Sequence, residues 1–178
     1  MTKLAAIVLA LMAAAAPASA QVRVFGSDAA ACVRGLPAIR ADITDLMDRT
    51  GSVKLEVYPA NDTDFLKHGR ELRAQGKFYR RIKVPTPAAG PVSLCIRVPR
   101  PGRYALLFTH DRDGRDKFNF WSDGAGFPSN VKIRRMRPTL AMAAITVPQG
   151  VVVTRIRAQY LRGIAGFKPL PKRVSGAR

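Results

Sequence analysis

Cysteine, histidine and tryptophan are nearly missing from this 178-residue chain, which holds two, two and one of them. Each shortage excludes something. Two cysteines and two distant histidines, His68 and His110, have no recognised zinc-ligand spacing, and a structural zinc site needs about four ligands. No local signature of a catalytic thiol surrounds either cysteine, and no serine or cysteine nucleophile sits in a recognisable elbow, so no catalytic residue is assigned. Acids are scarce as well: 12 Asp and Glu stand against 30 Lys and Arg, a formal net charge of +18. Beyond the first twenty residues no apolar run is long enough to cross a bilayer as a helix. Internal repeats are lacking, and no break in composition marks a second domain.

What is present begins with an export signal. Met1 to Ala20 reads MTKLAAIVLALMAAAAPASA, with Lys3 as the positive segment, Leu4 to Ala16 as the apolar core and Ala18-Ser19-Ala20 as the cleavage site. No cysteine follows the cleavage site, which argues against a lipoprotein anchor. The mature chain is expected to start at Gln21, in the periplasm or secreted, with a charge of +17 once Lys3 is lost. In an oxidising compartment Cys32 and Cys95 predict a disulfide, which stabilises by about 3–5 kcal/mol in the chain-entropy model. The positive charge favours anionic partners, such as an envelope glycolipid or polysaccharide; the competing reading is a basic surface that only keeps the protein in solution. Nucleic acid fits the charge but not the compartment, and no nucleic-acid-binding motif is present.

After a lead-in over 21–38, alternation of apolar and polar residues predicts strands. Ile39 to Leu46 and Ser52 to Tyr58 read as a hairpin around the turn residues Asp48-Arg49-Thr50-Gly51, with Val53, Leu55 and Val57 inward and Lys54 and Glu56 outward. Asp62 or Thr63 is placed to cap a short helical turn through Phe65 and Leu66. Phe78 to Val84, Val92 to Val98, the continuous apolar run Tyr104 to Thr109, Thr139 to Val147 and Val151 to Leu161 follow. The set predicts an all-β domain over 39–161, a seven-stranded antiparallel β-sandwich of immunoglobulin-like or prealbumin-like type, with a barrel as the alternative. The basic tail 162–178 is expected to be extended or disordered.

One loop concentrates the acids and glycines. From His110 it carries Asp111, Asp113, Asp116 and Asp123, three glycines, Phe118, Phe120 and the single Trp121, and it ends at Phe127 and Asn130. Asp111, Asp113 and Asp116 form a candidate calcium set, because calcium takes several carboxylate and carbonyl oxygens. The match to an EF-hand loop is poor. Gly114 comes early, Ser122 stands at position twelve, and Arg112, Arg115 and Lys117 interleave with the acids, so a solvated turn competes with the metal reading. His110-Asp111 is half of a possible acid–base unit for a hydrolase, but neighbours on a strand face opposite ways. The loop aromatics are candidate stacking platforms for a ligand, or a cap folded back over the sandwich.

These residues resemble a bacterial family of exported proteins known only as domain of unknown function 2141. The likeness covers about Ile39 to Tyr160. It rests on Gly51-Ser52-Val53 with its strand, Phe65-Leu66, Pro101-Gly102-Arg103-Tyr104-Ala105, His110-Asp111 with the acid and glycine loop, Gly126-Phe127 and Ser129-Asn130. The family's Gly-x-Pro step is missing here, and Pro128 stands between Gly126-Phe127 and Ser129-Asn130. The resemblance implies a periplasmic β-sandwich whose characteristic feature is the loop from His110 to Asn130, and it implies no activity. The resulting expectation is a non-enzymatic binding or structural module for an anionic envelope component. It needs no cofactor, and a calcium-stabilised module is the alternative. Its candidate ligand residues are His110, Asp111, Trp121, Phe127 and Asn130.

Overall fold

The computed structural model describes residues 22–134, 136–163 and 166–171. The expected signal segment, Arg135 and the last seven residues lie outside them. In chain order the elements are β1 (Val24–Phe25), α1 (Ala29–Val33), β2 (Ala38–Thr44), β3 (Ser52–Pro59), α2 (Gly69–Ala74), β4 (Arg80–Pro85) and β5 (Val92–Arg97). They continue with β6 (Gly102–Asp111), β7 (Gly124–Gly126), α3 (Leu140–Ala143), β8 (Ala144–Val147), β9 (Val151–Arg157), β10 (Gln159–Leu161) and β11 (Phe167–Pro169).

The strands form two sheets. One runs β1-β5-β2-β9; the other runs β11-β10-β7-β6-β3-β4, with β8 on β6 as its seventh strand. The apolar alternates of both sheets meet in one core: Ile39, Ala41, Leu94, Ile96 and Ile156 on one side, Val53, Leu55, Val57, Leu106, Phe108 and Tyr160 on the other. This is the sandwich that period-two patterning requires, since each strand buries one face against the other sheet.

The all-β class and the two-layer arrangement match the sequence pattern, and the pairing departs from it in four ways. First, β2 and β3 are not a hairpin. β2 pairs with β5 and β9, whereas β3 pairs with β4 and β6, so residues 45–51 cross between the sheets. Asp45 at φ 61° and Gly51 at φ 65° turn the chain there. Only glycine suits position 51, because a Cβ would lie 2.0 Å from the Asp111 carbonyl oxygen. Second, the sheets are not wholly antiparallel: β2–β9 and β1–β5 are parallel. Third, Val151 to Leu161 is not one strand. It leaves the first sheet at Ala158, whose N–H donates to the Thr44 carbonyl (2.9 Å), and re-enters the second as β10. Fourth, Thr139 to Val147 is a strand only in its second half; Leu140–Ala143, rich in helix formers, makes the short α3.

Three covers complete the domain. α1 lies on the outer face of the four-stranded sheet, tied there by the Cys32–Cys95 disulfide; Cys95 points away from Leu94 and Ile96, as its place in the alternation requires. Arg80 of β4 forks onto the Asp28 carboxylate, which also accepts from the Arg97 N–H of β5 (2.9 Å), so one acid closes the edges of both sheets. The short helical turn before α2 is capped by Asn61, whose Oδ1 accepts from the Asp64 N–H (2.8 Å), and not by Asp62 or Thr63. On the outer face of the seven-stranded sheet lies a second apolar layer: Tyr58, Phe65, Leu72, Tyr79, Leu107, Phe127, Ile133 and Phe167. Phe167 belongs to β11, so the start of the expected tail is a strand that pairs with β10.

Candidate functional site

β6 presents alternating residues to the two layers, and its last two separate the expected catalytic pair. His110 is fully buried in the inner layer and Asp111 lies on the outer face. The His110 Nε2 is 2.9 Å from the Thr50 carbonyl, which can only accept, so Nε2 carries the proton. Nδ1 then accepts from the Tyr160 hydroxyl at 2.7 Å, and that oxygen accepts from the Met47 N–H at 3.1 Å. The chain of bonds joins β6, β10 and the crossover 45–51. Burial lowers the His110 pKa, more than the Thr50 carbonyl and the Asp48 carboxylate raise it. A neutral, enclosed imidazole with both nitrogens engaged holds the fold; it does not reach a substrate.

Asp111 pairs with the equally buried Lys54 of β3: Nζ to Oδ2 is 3.0 Å, with side chains 5% and 1% exposed. Its other oxygen, Oδ1, has no hydrogen-bond partner. Oxygens of Asp111, Asp113 and Asp123 lie within 4.8 Å of one another. The candidate calcium set is thereby changed. Asp116 turns away at φ 61° to meet Lys83 (2.8 Å), and Asp123 takes its place. Asp123 is buried beneath the loop; Oδ1 accepts from the Arg112 N–H and the Ser122 hydroxyl (both 3.0 Å), and Oδ2 from the Asn119 N–H (2.8 Å). Hydrogen bonds from the Asn119 side chain and the Arg115 N–H hold Asp113 below the usual carboxylate range, and Lys83 does the same to Asp116.

The remaining candidates disperse. Phe127 is buried in the outer layer, against Phe65. Asn130, at φ 55°, copies a strand edge: its Oδ1 accepts from the Arg157 N–H (2.7 Å) and its Nδ2 donates to the Arg155 carbonyl (2.8 Å). Trp121 is 81% exposed, with its ring edge-on to Phe120 at 6.0 Å on the solvent side. Phe118 and Phe120 fold back against Phe167, at centroid distances of 6.4 and 4.9 Å, and cover the face of the sheet, not the end of the sandwich.

Beneath that cover is a cavity of about 470 Å³. Its floor is the outer face of β3, β6 and β7, through Lys54, Glu56, Leu107, Thr109 and Ala125; its walls include Tyr58, Tyr79, Phe118, Phe120, Phe127 and Phe167. Glu56 is satisfied by the Tyr79 hydroxyl and by Arg81 (2.7 Å). The Thr109 hydroxyl is buried and has no partner. Volume, aromatic walls and a few polar groups suit a small-molecule site.

A family model described as "Uncharacterized protein conserved in bacteria (DUF2141)" matches residues 41–155. The chain belongs to this family. Gly51, the β3 strand, His110 and the acid loop of this DUF2141 protein all fall inside the matched span. No curated protein and no solved structure matches. Neither the family description nor the site geometry points to a catalytic activity.

Two residues of the cavity, Lys54 and Thr109, are not legible as site residues in the sequence, and Asp123 is legible as a loop acid but not as a member of the carboxylate cluster. Lys54 and Thr109 occupy positions that alternation assigns to solvent or to a strand end, and only the covering layer makes them a cavity floor. Asp123 lies twelve residues from Asp111, one position beyond the last ligand of an EF-hand loop, and its place beside Gly124 in the acid and glycine loop was its one signal. Glycine is required there, because a Cβ at 124 would lie 2.4 Å from the Tyr160 ring.

Proposed function

We propose that this protein is an exported, non-enzymatic binding module that captures an anionic component of the cell envelope, with the cavity over β3, β6 and β7 as the receiving site. The cavity carries the proposal: it joins aromatic walls to four cationic side chains, Lys54, Lys67, Arg81 and Arg134. The disulfide supports an oxidising compartment, and the basic composition supports an anionic partner. Nucleic acid is no part of this reading. Binding of the purified protein to an extract of envelope lipids tests it. Retention is expected to fall steeply between about 50 and 500 mM salt, because screening shortens the reach of the charges. It is also expected to fall in Ala125→Phe, which fills the cavity from β7. Retention insensitive to both overturns the proposal.

A second reading concerns the loop. The unpartnered Oδ1 of buried Asp111, beside Asp113 and Asp123, favours a hard divalent cation such as calcium, which these three carboxylates would hold. On this reading calcium raises the melting temperature of the wild type and leaves Asp123→Asn unmoved. A wild type that melts identically in calcium and in chelator removes the idea.

A further inference from the structure

The floor of the cavity is graded. At one end Tyr58 of β3 lies opposite Ala105 of β6, and the neighbouring pair is Glu56 with Leu107. At the other end Lys54 lies directly opposite Thr109, with Ala125 of β7 on the far side of Thr109. Residues so paired have Cβ atoms about 5 Å apart, and both line the cavity; the Lys54 ammonium gives one N–H to Asp111 Oδ2 (3.0 Å) and has a further N–H for a ligand. The Thr109 hydroxyl is buried without a partner, and a buried polar group left unpaired is costly. A ligand atom in the cavity would pair it.

Charge narrows the group. Lys54, Lys67, Arg81 and Arg134 line the cavity against Glu56 and Asp116. Asp111, Lys83, Asp64, Glu71 and Lys77 are their described ion-pair partners, directly or through Asp64, and with all of them included one positive charge is left over. Arg134 has no ion-pair partner among the described residues. A single negative charge balances the site; a doubly charged phosphate monoester exceeds it. Size narrows the body. About 470 Å³ lies toward the small end of the ~300–1,000 Å³ typical of ligand sites, which admits one chain or a few rings and not a multi-chain glycolipid.

We infer that the ligand of this cavity is a small single-headed amphiphile, an apolar chain or ring system ending in a carboxylate that accepts from the Thr109 hydroxyl and the Lys54 ammonium. This rests on the cavity being the receiving site, as proposed above, and adds the class of molecule received. One carboxylate oxygen would take the Thr109 hydroxyl proton and the other a Lys54 N–H beside the one held by Asp111. The apolar body lies against Leu107, Phe127, Ile133 and Phe167.

The test is calorimetric titration of the purified protein at pH 8 and low salt with decanoate, 1-decanol and decyl phosphate. Decanoate is expected to bind at least tenfold more tightly than either of the others. Thr109→Val keeps the branched shape and removes only the hydroxyl; it is expected to weaken decanoate about tenfold, the loss typical of a hydrogen bond to a charged group, at a melting temperature equal to or above that of the wild type. Ala125→Phe is expected to abolish the binding of all three. Equal binding of the alcohol, tighter binding of the phosphate, or an unchanged affinity in Thr109→Val overturns the carboxylate assignment while the cavity remains a ligand site. Failure of all three probes to bind wild type, or undiminished binding in Ala125→Phe, overturns both.

Discussion

The two faces of β3 are equally hidden from water and built on different principles. Toward the inner core it sends Val53, Leu55 and Val57, all fully buried; toward the outer layer it sends Lys54, Glu56 and Tyr58, which are 4%, 6% and 4% exposed. The inner layer is apolar and filled from both sheets. The outer one is covered by loops, a short helix and β11; it buries ion pairs and leaves a cavity. Packing density stabilises the first. The second gives up part of that density, and its charged groups are held only where partners satisfy them. A sheet that needs one face for stability is free to use the other for binding.

The largest test of this contrast compares neighbours on β6. Phe108→Ala empties the filled inner layer and is expected to cost about 4 kcal/mol in urea unfolding. Leu107→Ala, beside a cavity that already exists, is expected to cost about 2 kcal/mol or less. Equal losses would break the distinction between the layers.

Lys54→Met comes next. It leaves the buried Asp111 carboxylate with only the more distant Lys83 ammonium (3.9 Å) and the Asp116 N–H (3.2 Å), at a cost of about 3 kcal/mol, and adding Asp111→Asn is expected to restore much of that. A double variant as unstable as the sum of the two single ones would show that the pair is not coupled.

A smaller effect depends on pH. Burial holds the His110 pKa below its ordinary 6.5, so below about pH 6.5 the unfolded chain binds more protons than the folded one and stability falls. His110→Gln is expected to flatten the stability profile from pH 6.5 downward. Asp48 acts in a lower window. Burial opposes its ionisation, but hydrogen bonds from Arg112 and Thr50 outweigh burial and hold it at about 2. Its contribution, present above about pH 4, is lost as pH falls toward 2. A profile in His110→Gln that still bends at pH 6.5 assigns that bend to another group. The smallest expected effect is Trp121→Ala: an exposed ring whose removal changes stability by less than about 0.5 kcal/mol and leaves ligand affinity unchanged.

Local sequence carried the strands well where one face is plainly apolar. Val53, Leu55, Leu94, Ile96, Ile156 and Tyr160 all point where alternation puts them. It failed where a segment changes partner. Val151 to Leu161 keeps its alternation straight through Ala158, and nothing in that pattern marks the step from one sheet to the other. The loop from His110 to Asn130 was legible as a special segment, because acids and glycines are otherwise rare in so basic a chain. Its inner geometry was not. Asp116 has the better spacing, yet Lys83 and Lys54 draw it aside, and Asp123 reaches Asp111 only because β7 pairs with β6. The acid–base pair failed for a reason stated by the alternation itself: His110 and Asp111 are consecutive on a strand that does not end until Asp111.

The sequence by itself determined the all-β class, the face each apolar residue takes, the pairing of Cys32 with Cys95 and the family, since these follow from period, from count and from an ordered set of residues. The tertiary structure decided which strands are neighbours, that Lys54, Glu56 and Thr109 are buried, and that a cavity lies above them. Those depend on which distant segments come to cover a surface. A covering layer made of residues 65–79, 118–134, 136–138 and 167 leaves no local trace in the strand that it covers.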